Sequence, residues 1–173
     1  MKKSSKNKLV MFAASQGGHF TELMGLKSLF GLYDSVLVTS NLKASGNREE
    51  LKSFKEIAYS AAMAERREKM AGTKIHSRWK SLFSYLKMFV ECFRIYFRYK
   101  PAVIVSTGSY IAVPLFLCGK LFGSKTLYIE SNAKVYTKSS TGKLVEKLSD
   151  KIYVQWPEMQ SVYPQAEYHG VLH

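Results

Sequence analysis

A chain of 173 residues that is 46% hydrophobic and 13% aromatic is not a disordered polymer, and its length suits one domain: residues 8–173 behind a basic tail, residues 1–7. Its 26 Lys+Arg against 13 Asp+Glu give a formal net charge of +13, which implies an anionic partner: nucleic acid, an anionic membrane surface or a phosphorylated substrate. No uncharged apolar run approaches the ~18 residues of a spanning helix, and the first apolar run is too short for a signal sequence.

The tail MKKSSKN leads into residues 8–14, whose apolar core LVMFAA reads as a buried strand. SQGGHFTEL follows, and Leu23, Leu26, Leu29 and Phe30 recur at helical spacing, so a helix is expected over 21–31, ending near Gly31. Gly17, Gly18 and His19 therefore fall on a strand-to-helix turn. There the backbone can approach a ligand closely, helix N–H groups attract anions, and a histidine is placed to move a proton. Residues 35–39 (SVLVT) read as a second strand, 41–50 as a polar loop and 57–59 as a short strand. Residues 60–77 are charged and rich in small residues, consistent with a loop or a frayed helix.

A long helix is expected over 79–98. Lys80, Ser84, Lys87, Glu91, Arg94 and Arg98 follow at steps of four, three, four, three and four, which makes one polar stripe. Nearly every other position is apolar, more than one sheet contact requires. Two readings stay open: a core helix with a solvated stripe, or a helix meeting an anionic membrane through Trp79, Lys80, Lys87, Arg94, Arg98 and extra aromatics. Pro101 ends it. Residues 103–106 (VIVS) form a strand, Thr107–Gly108–Ser109–Tyr110 a second glycine turn, and 111–122 a helix with Pro114 in its first turn. Residues 126–129 (TLYI) are a strand that ends in Glu130–Ser131–Asn132–Ala133. A helix over 140–148, a strand over 151–155, a helical turn over 157–162 and a last strand or tail over 167–171 complete the chain. Cys92 and Cys118 lie in apolar helical stretches and read as reduced core residues of a cytoplasmic protein; no metal-ligand cluster is present.

Strands alternating with helices predict an α/β fold, a Rossmann-like, doubly wound parallel sheet, with ligands outside the carboxyl ends of the strands. GGH, TGSY and ESNA all fall at that edge. The dinucleotide fingerprint, the phosphate loop and the nucleophile elbow are absent, which leaves Ser15 and Ser109 as poor nucleophiles. What remains suits a phosphorylated, hydroxyl-rich substrate. Ser15, Gly17, Gly18, Thr107, Gly108, Ser109, Tyr110 and Asn132 would bind it, and His19 or Glu130 would act as base on a hydroxyl.

S-x-G-G-H, then T-G-S-Y-x-x-x-P, then E-S-N-A resembles the N-terminal half of MurG-like GT-B glycosyltransferases. It is most similar to the short acceptor-side subunits of two-subunit UDP-sugar transferases. These include the membrane-recruiting subunit of the dolichol-linked GlcNAc transferase and bacterial capsular and exopolysaccharide subunits of the PssD, EpsE and CpsF type. The resemblance runs from Leu9 to Val171. It implies that this chain holds a polyprenyl-diphosphate-linked acceptor at the inner face of the cell membrane. A separately encoded partner would bind the UDP-sugar, with no further cofactor. His19 is carried over as candidate base, and Glu130 and Asn132 as the acceptor-side E-x-N. Glu22 stands where MurG has proline. The expected function is an inverting glycosyltransfer in surface polysaccharide assembly, active with the partner. The alternatives are a non-catalytic scaffold that recruits the enzyme, and, from charge alone, a nucleic-acid binder, although no nucleic-acid-binding module is recognisable.

Overall fold

A computed structural model describes residues 8–40, 49–60 and 78–172, with the side chains of 50 and 78–82 left out. The basic tail, most of the loop expected over 41–50 and nearly all of 60–77 lie outside the described residues, as do the side chains of Trp79 and Lys80. In chain order the elements are β1 (Leu9–Ala13), α1 (Gly18–Met24), α2 (Lys27–Phe30), β2 (Asp34–Thr39), a 3-10 turn (Glu49–Ser53), β3 (Glu56–Tyr59) and α3 (Arg78–Tyr99). There follow β4 (Val103–Ser106), α4 (Ala112–Phe122), β5 (Lys125–Ile129), α5 (Ser140–Val145) with a 3-10 extension (Glu146–Leu148), β6 (Lys151–Val154), a 3-10 turn (Pro157–Ser161) and β7 (Glu167–Tyr168).

All strands are parallel, in the order β3-β2-β1-β4-β5-β6-β7. Strand alternation feeds two cores. Val10, Phe12 and Ala14 pack with Phe20, Leu23, Phe30 and Phe54 on one face. Met11 and Ala13 pack with Met88, Cys92, Leu115, Phe116 and Val145 on the other. A sheet buried on both faces needs apolar residues at consecutive positions, which is why β1 reads as a run and not as an alternation. The order reverses between β1 and β4, so the turns after these two strands face each other across the switch point.

Two of the expected helices differ from expectation. The first helix begins at Gly18, which puts His19 in its first turn, and it breaks before α2. At Gly25 an added Cβ would meet the Leu172 carbonyl, because the end of the chain crosses there. The N–H groups of Gly25 and Leu26 close the turn by bonding three residues back, at 3.0 and 2.9 Å. The helix expected over 140–148 tightens into 3-10 geometry after Val145.

Helix α3 is apolar on two sides. Met88, Cys92 and Tyr96 are buried, whereas Phe83, Leu86, Val90, Phe93 and Phe97 form an exposed row at steps of three and four. Phe122 of α4, 50% exposed, continues that row, with its ring 4.9 Å from Phe97 and 5.9 Å from Phe93. Lys87, Arg94 and Arg98 are exposed beside it, and Arg98 also pairs with Glu56 at 2.8 Å. Cys92 and Cys118 are free and buried. Burial pushes both thiols up, Cys118 to about 11, so neither is a ready nucleophile.

Candidate functional site

The turns after β1, β4 and β5 meet through two side chains one helical turn apart, His19 and Glu22. The His19 Nδ1 lies 3.1 Å from the Thr107 carbonyl oxygen. A carbonyl only accepts, so Nδ1 carries a proton, and in the neutral ring Nε2 holds the lone pair. The Thr107 hydroxyl returns a bond to the His19 carbonyl at 2.6 Å, which fixes the backbone as well as the ring. Below them the buried Ser106 hydroxyl donates to the Ala13 carbonyl at 2.6 Å and accepts from the Gly108 N–H at 3.2 Å, joining the ends of β1 and β4.

The second glycine turn has a definite reason for its glycine. Gly108 has φ +128, and a Cβ there would stand 2.5 Å from His19 Nδ1 and 2.6 Å from Cε1. The imidazole occupies the space that any side chain would need. Ser109 follows with φ 81 and a buried hydroxyl that has no hydrogen-bond partner among the described residues. Tyr110, half-buried, stacks edge-on against Tyr85 of α3 with centroids 6.0 Å apart, so α3 abuts this turn.

Glu22 projects from α1 towards the turn after β5. One carboxylate oxygen, Oε1, accepts from the Ser131 hydroxyl and the Asn132 N–H, both at 2.8 Å. The other, Oε2, is buried, has no hydrogen-bond partner among the described residues, and lies 3.7 Å from His19 Nδ1. Burial alone would push the Glu22 carboxyl up. Contact with His19 and the bonds from Ser131 and Asn132 outweigh it and hold the group below the usual glutamate range, as a carboxylate. Sequence reasoning noted Glu22 only as a departure from proline. Its place three residues after His19, on the same helix face, was the available signal.

Glu130 requires a correction. It is 1% exposed. Its Oε1 accepts from Tyr128 Oη at 3.1 Å and Ser131 N at 2.8 Å. Its Oε2 accepts from Ser139 N at 3.1 Å, Ser139 Oγ at 3.2 Å and Tyr163 Oη at 2.6 Å. A carboxylate enclosed by five donors has no lone pair directed at a substrate. It is a structural acceptor that ties β5 to the start of α5, and the expectation that it takes a proton from a hydroxyl fails on this geometry. The Tyr128 and Tyr163 phenols are pushed up by burial and by the neighbouring Glu130, which keeps them as donors.

The remaining expected residues divide by accessibility. Gly17, with φ 109, and Gly18 are exposed, and Ser15 is half-buried beside them. Asn132 is half-buried, and its carbonyl accepts from Trp156 Nε1 at 2.7 Å while its buried side-chain oxygen has no partner among the described residues. Thr107 is spent on His19 and offers no free hydroxyl. At this edge Gly17 and Gly18 are exposed and His19, Tyr110 and Asn132 are half-buried: one imidazole among backbone and amide groups suited to phosphate and sugar oxygens. Among the described residues no three His, Cys, Asp or Glu side chains are grouped to hold a metal ion.

Residues 9–172 match the sequence family described as "Oligosaccharide biosynthesis protein Alg14 like". The fission yeast Schizosaccharomyces pombe has a "UDP-N-acetylglucosamine transferase subunit alg14" that is 30% identical over 192 residues, covering 98% of this chain and 88% of that protein. A Yarrowia lipolytica "UDP-N-acetylglucosamine transferase subunit ALG14" is 33% identical over 90 residues, 49% of this chain and 42% of that one. Among solved structures, Acinetobacter baumannii MurG superposes with TM-score 0.64 at 16% identity, covering 87% of this chain and 42% of MurG. The UDP-N-acetylglucosamine 2-epimerase of Rickettsia bellii superposes with TM-score 0.66 at 12% identity, covering 96% of this chain and 45% of the epimerase. This chain thus spans less than half of either solved neighbour. Two enzymes of different chemistry share its fold equally, so the likeness fixes a Rossmann-like, GT-B-type sheet and leaves activity to the site.

Proposed function

The chain belongs to the Alg14-like family of oligosaccharide biosynthesis proteins, and on that premise we propose that it is the acceptor-binding, membrane-recruiting subunit of a two-component inverting glycosyltransferase. The partner, a separately encoded chain, holds the UDP-sugar. This chain holds a polyprenyl-diphosphate-linked sugar, with Gly17, Gly18, Ser109, Tyr110 and Asn132 around it. His19 Nε2 takes the proton as the acceptor O–H breaks. That oxygen bonds to the anomeric carbon while the bond from that carbon to the UDP oxygen breaks, and UDP leaves with both electrons. Charge on the departing diphosphate is met by helix N-termini, mostly in the partner.

The observation that carries this reading is the half-buried His19 ring at the carboxyl edge of the sheet, packed on Gly108 and bonded through Nδ1 to the Thr107 carbonyl, with Nε2 as its other ring nitrogen. His19→Ala, assayed with the partner, is expected to lower turnover by about 10² or more. Retained activity would favour the rival role of a non-catalytic scaffold. The isolated chain is expected to turn over little.

The exposed row on α3 supports recruitment to the cytoplasmic leaflet of a membrane. It pairs apolar side chains with Lys87, Arg94 and Arg98, and it starts near Tyr110 at the site, so a lipid-linked diphosphate would reach the base from the bilayer surface. No described helix is long and apolar enough to cross a membrane. Placing the product in a bacterial surface polysaccharide rests on the motif resemblance alone, since the relatives named above are eukaryotic.

A further inference from the structure

We propose that Glu22 is the positioning residue of this site: its carboxylate clamps the turn after β5 with one oxygen and serves as counter-ion to the His19 ring with the other. The inference rests on His19 being the base, and it adds a residue to that reading. Three features carry it.

First, the two oxygens are used differently. Oε1 is saturated by Ser131 and Asn132, whereas Oε2 is buried with no hydrogen-bond partner among the described residues. A buried carboxylate oxygen left without a donor is costly, and it is tolerated where something else compensates. Second, the group facing that oxygen is His19 Nδ1, at 3.7 Å, too long for a hydrogen bond and close enough for a strong charge interaction in a partly buried setting. Third, the neutral ring gains little from this contact. When Nε2 accepts the acceptor proton the ring becomes cationic, and the anion beside it stabilises that state more than the resting one. Such differential stabilisation speeds a step, in contrast to uniform binding. Among the described residues, Glu130 shares Ser131 with Glu22 but is already enclosed by its own donors, so Glu22 is the carboxylate that answers the ring.

Glu22 has a second effect on the same chemistry. By holding Asn132 N–H it keeps the turn that carries the Asn132 side chain in register with the base. One residue therefore links the group that would bind the acceptor to the group that would deprotonate it.

The test has two arms. In the isolated, carboxyl-labelled chain, the Glu22 signal is followed by NMR against pH in wild type and His19→Gln. The proposal expects titration below the usual glutamate range in wild type and a clear upward move in the variant, because the ring that favours the carboxylate is gone. An unmoved titration would overturn the pairing, whatever the enzyme's activity. In the complex with the donor-binding chain, Glu22→Gln keeps an acceptor oxygen for Ser131 and Asn132 but removes the charge. The expected result is a kcat about 10²-fold lower with acceptor KM within a few-fold of wild type. If His19→Ala is inactive while Glu22→Gln retains near wild-type kcat, Glu22 is a clamp only and this inference fails, while the base assignment survives. If His19→Ala is itself active, the base assignment fails, and the counter-ion role fails with it.

Discussion

Gly108→Ala is the sharpest single test of the site's construction. The added methyl would stand 2.5 Å from His19 Nδ1, 2.6 Å from Cε1 and 3.1 Å from Cγ. Ordinary contact needs about 3.4–4 Å, so the ring must retreat by roughly 1 Å. It cannot do so and keep its 3.1 Å bond to the Thr107 carbonyl. Losing that bond costs about 0.5–1.5 kcal/mol. Holding a non-glycine residue near φ +128 costs about 1–3 kcal/mol more. Together the variant should be destabilised by about 1.5–4.5 kcal/mol, read as a lower urea midpoint at unchanged slope. Turnover with the partner should fall by about 10², the effect of a 1 Å misplacement of a reacting group. Gly31→Ala is the matched control: nothing lies within 4 Å of its Cβ and it stands outside the site, so stability should stay within about 0.5 kcal/mol. If Gly108→Ala is as stable and as active as Gly31→Ala, the ring is not seated against Gly108.

Three further outcomes are expected. Glu130→Gln presents an amide nitrogen to a pocket of donors, leaves at least one unsatisfied, and should cost about 1–3 kcal/mol in urea unfolding; wild-type stability would refute the enclosed-carboxylate description. Asp150 is held below its ordinary value: burial pushes it up, but bonds from the Thr126 N–H and hydroxyl and from Lys125 outweigh that. Its contribution is therefore present above the unfolded carboxylate range and lost as pH falls below about 4, so Asp150→Asn should flatten the acid limb of a stability-versus-pH curve, and an unchanged limb would count against it. Phe93→Ser with Phe97→Ser should leave the fold intact, since both side chains are exposed, and should sharply weaken sedimentation with anionic liposomes, each ring contributing up to about 2 kcal/mol when inserted. Undiminished sedimentation would move membrane contact away from α3.

The sheet was legible because strands covered on both faces write themselves as short apolar runs, and LVMFA, VIVS and KTLYI each became a strand within a residue or two of expectation. The three polar turns at the carboxyl edge followed from the same reading. Side-chain direction was harder. Glu130 was read as a rim acid, yet it stands two residues after the buried Tyr128, and period-two alternation already turned both inward. Glu22 was passed over because its partners lie far along the chain in Ser131 and Asn132, which no local pattern reveals. The need for glycine at Gly25, where the helix breaks, was illegible for the same reason: Leu172 packs against it. On α3 the excess of apolar residues was visible, but the sequence could not divide them between the core row and the exposed row without knowing which side meets the sheet.

Because β1 is central and its partner β4 comes late, the contacts that build the site join positions far apart in the chain: 93 residues between Ala13 and Ser106, 88 between His19 and Thr107, and 109 between Glu22 and Ser131. None can form while only the first half of the polypeptide has been made. Each closure costs about 4 kcal/mol of chain entropy before any packing rewards it, so the base should be positioned among the last events of folding. Pulse-labelled exchange during refolding should find the Asn132 amide, which is bonded to Glu22, protected later than those of α3 and α4, whose helical bonds are local. A ribosome-bound chain halted before β5 would then carry a first glycine turn that is fully synthesised and chemically idle.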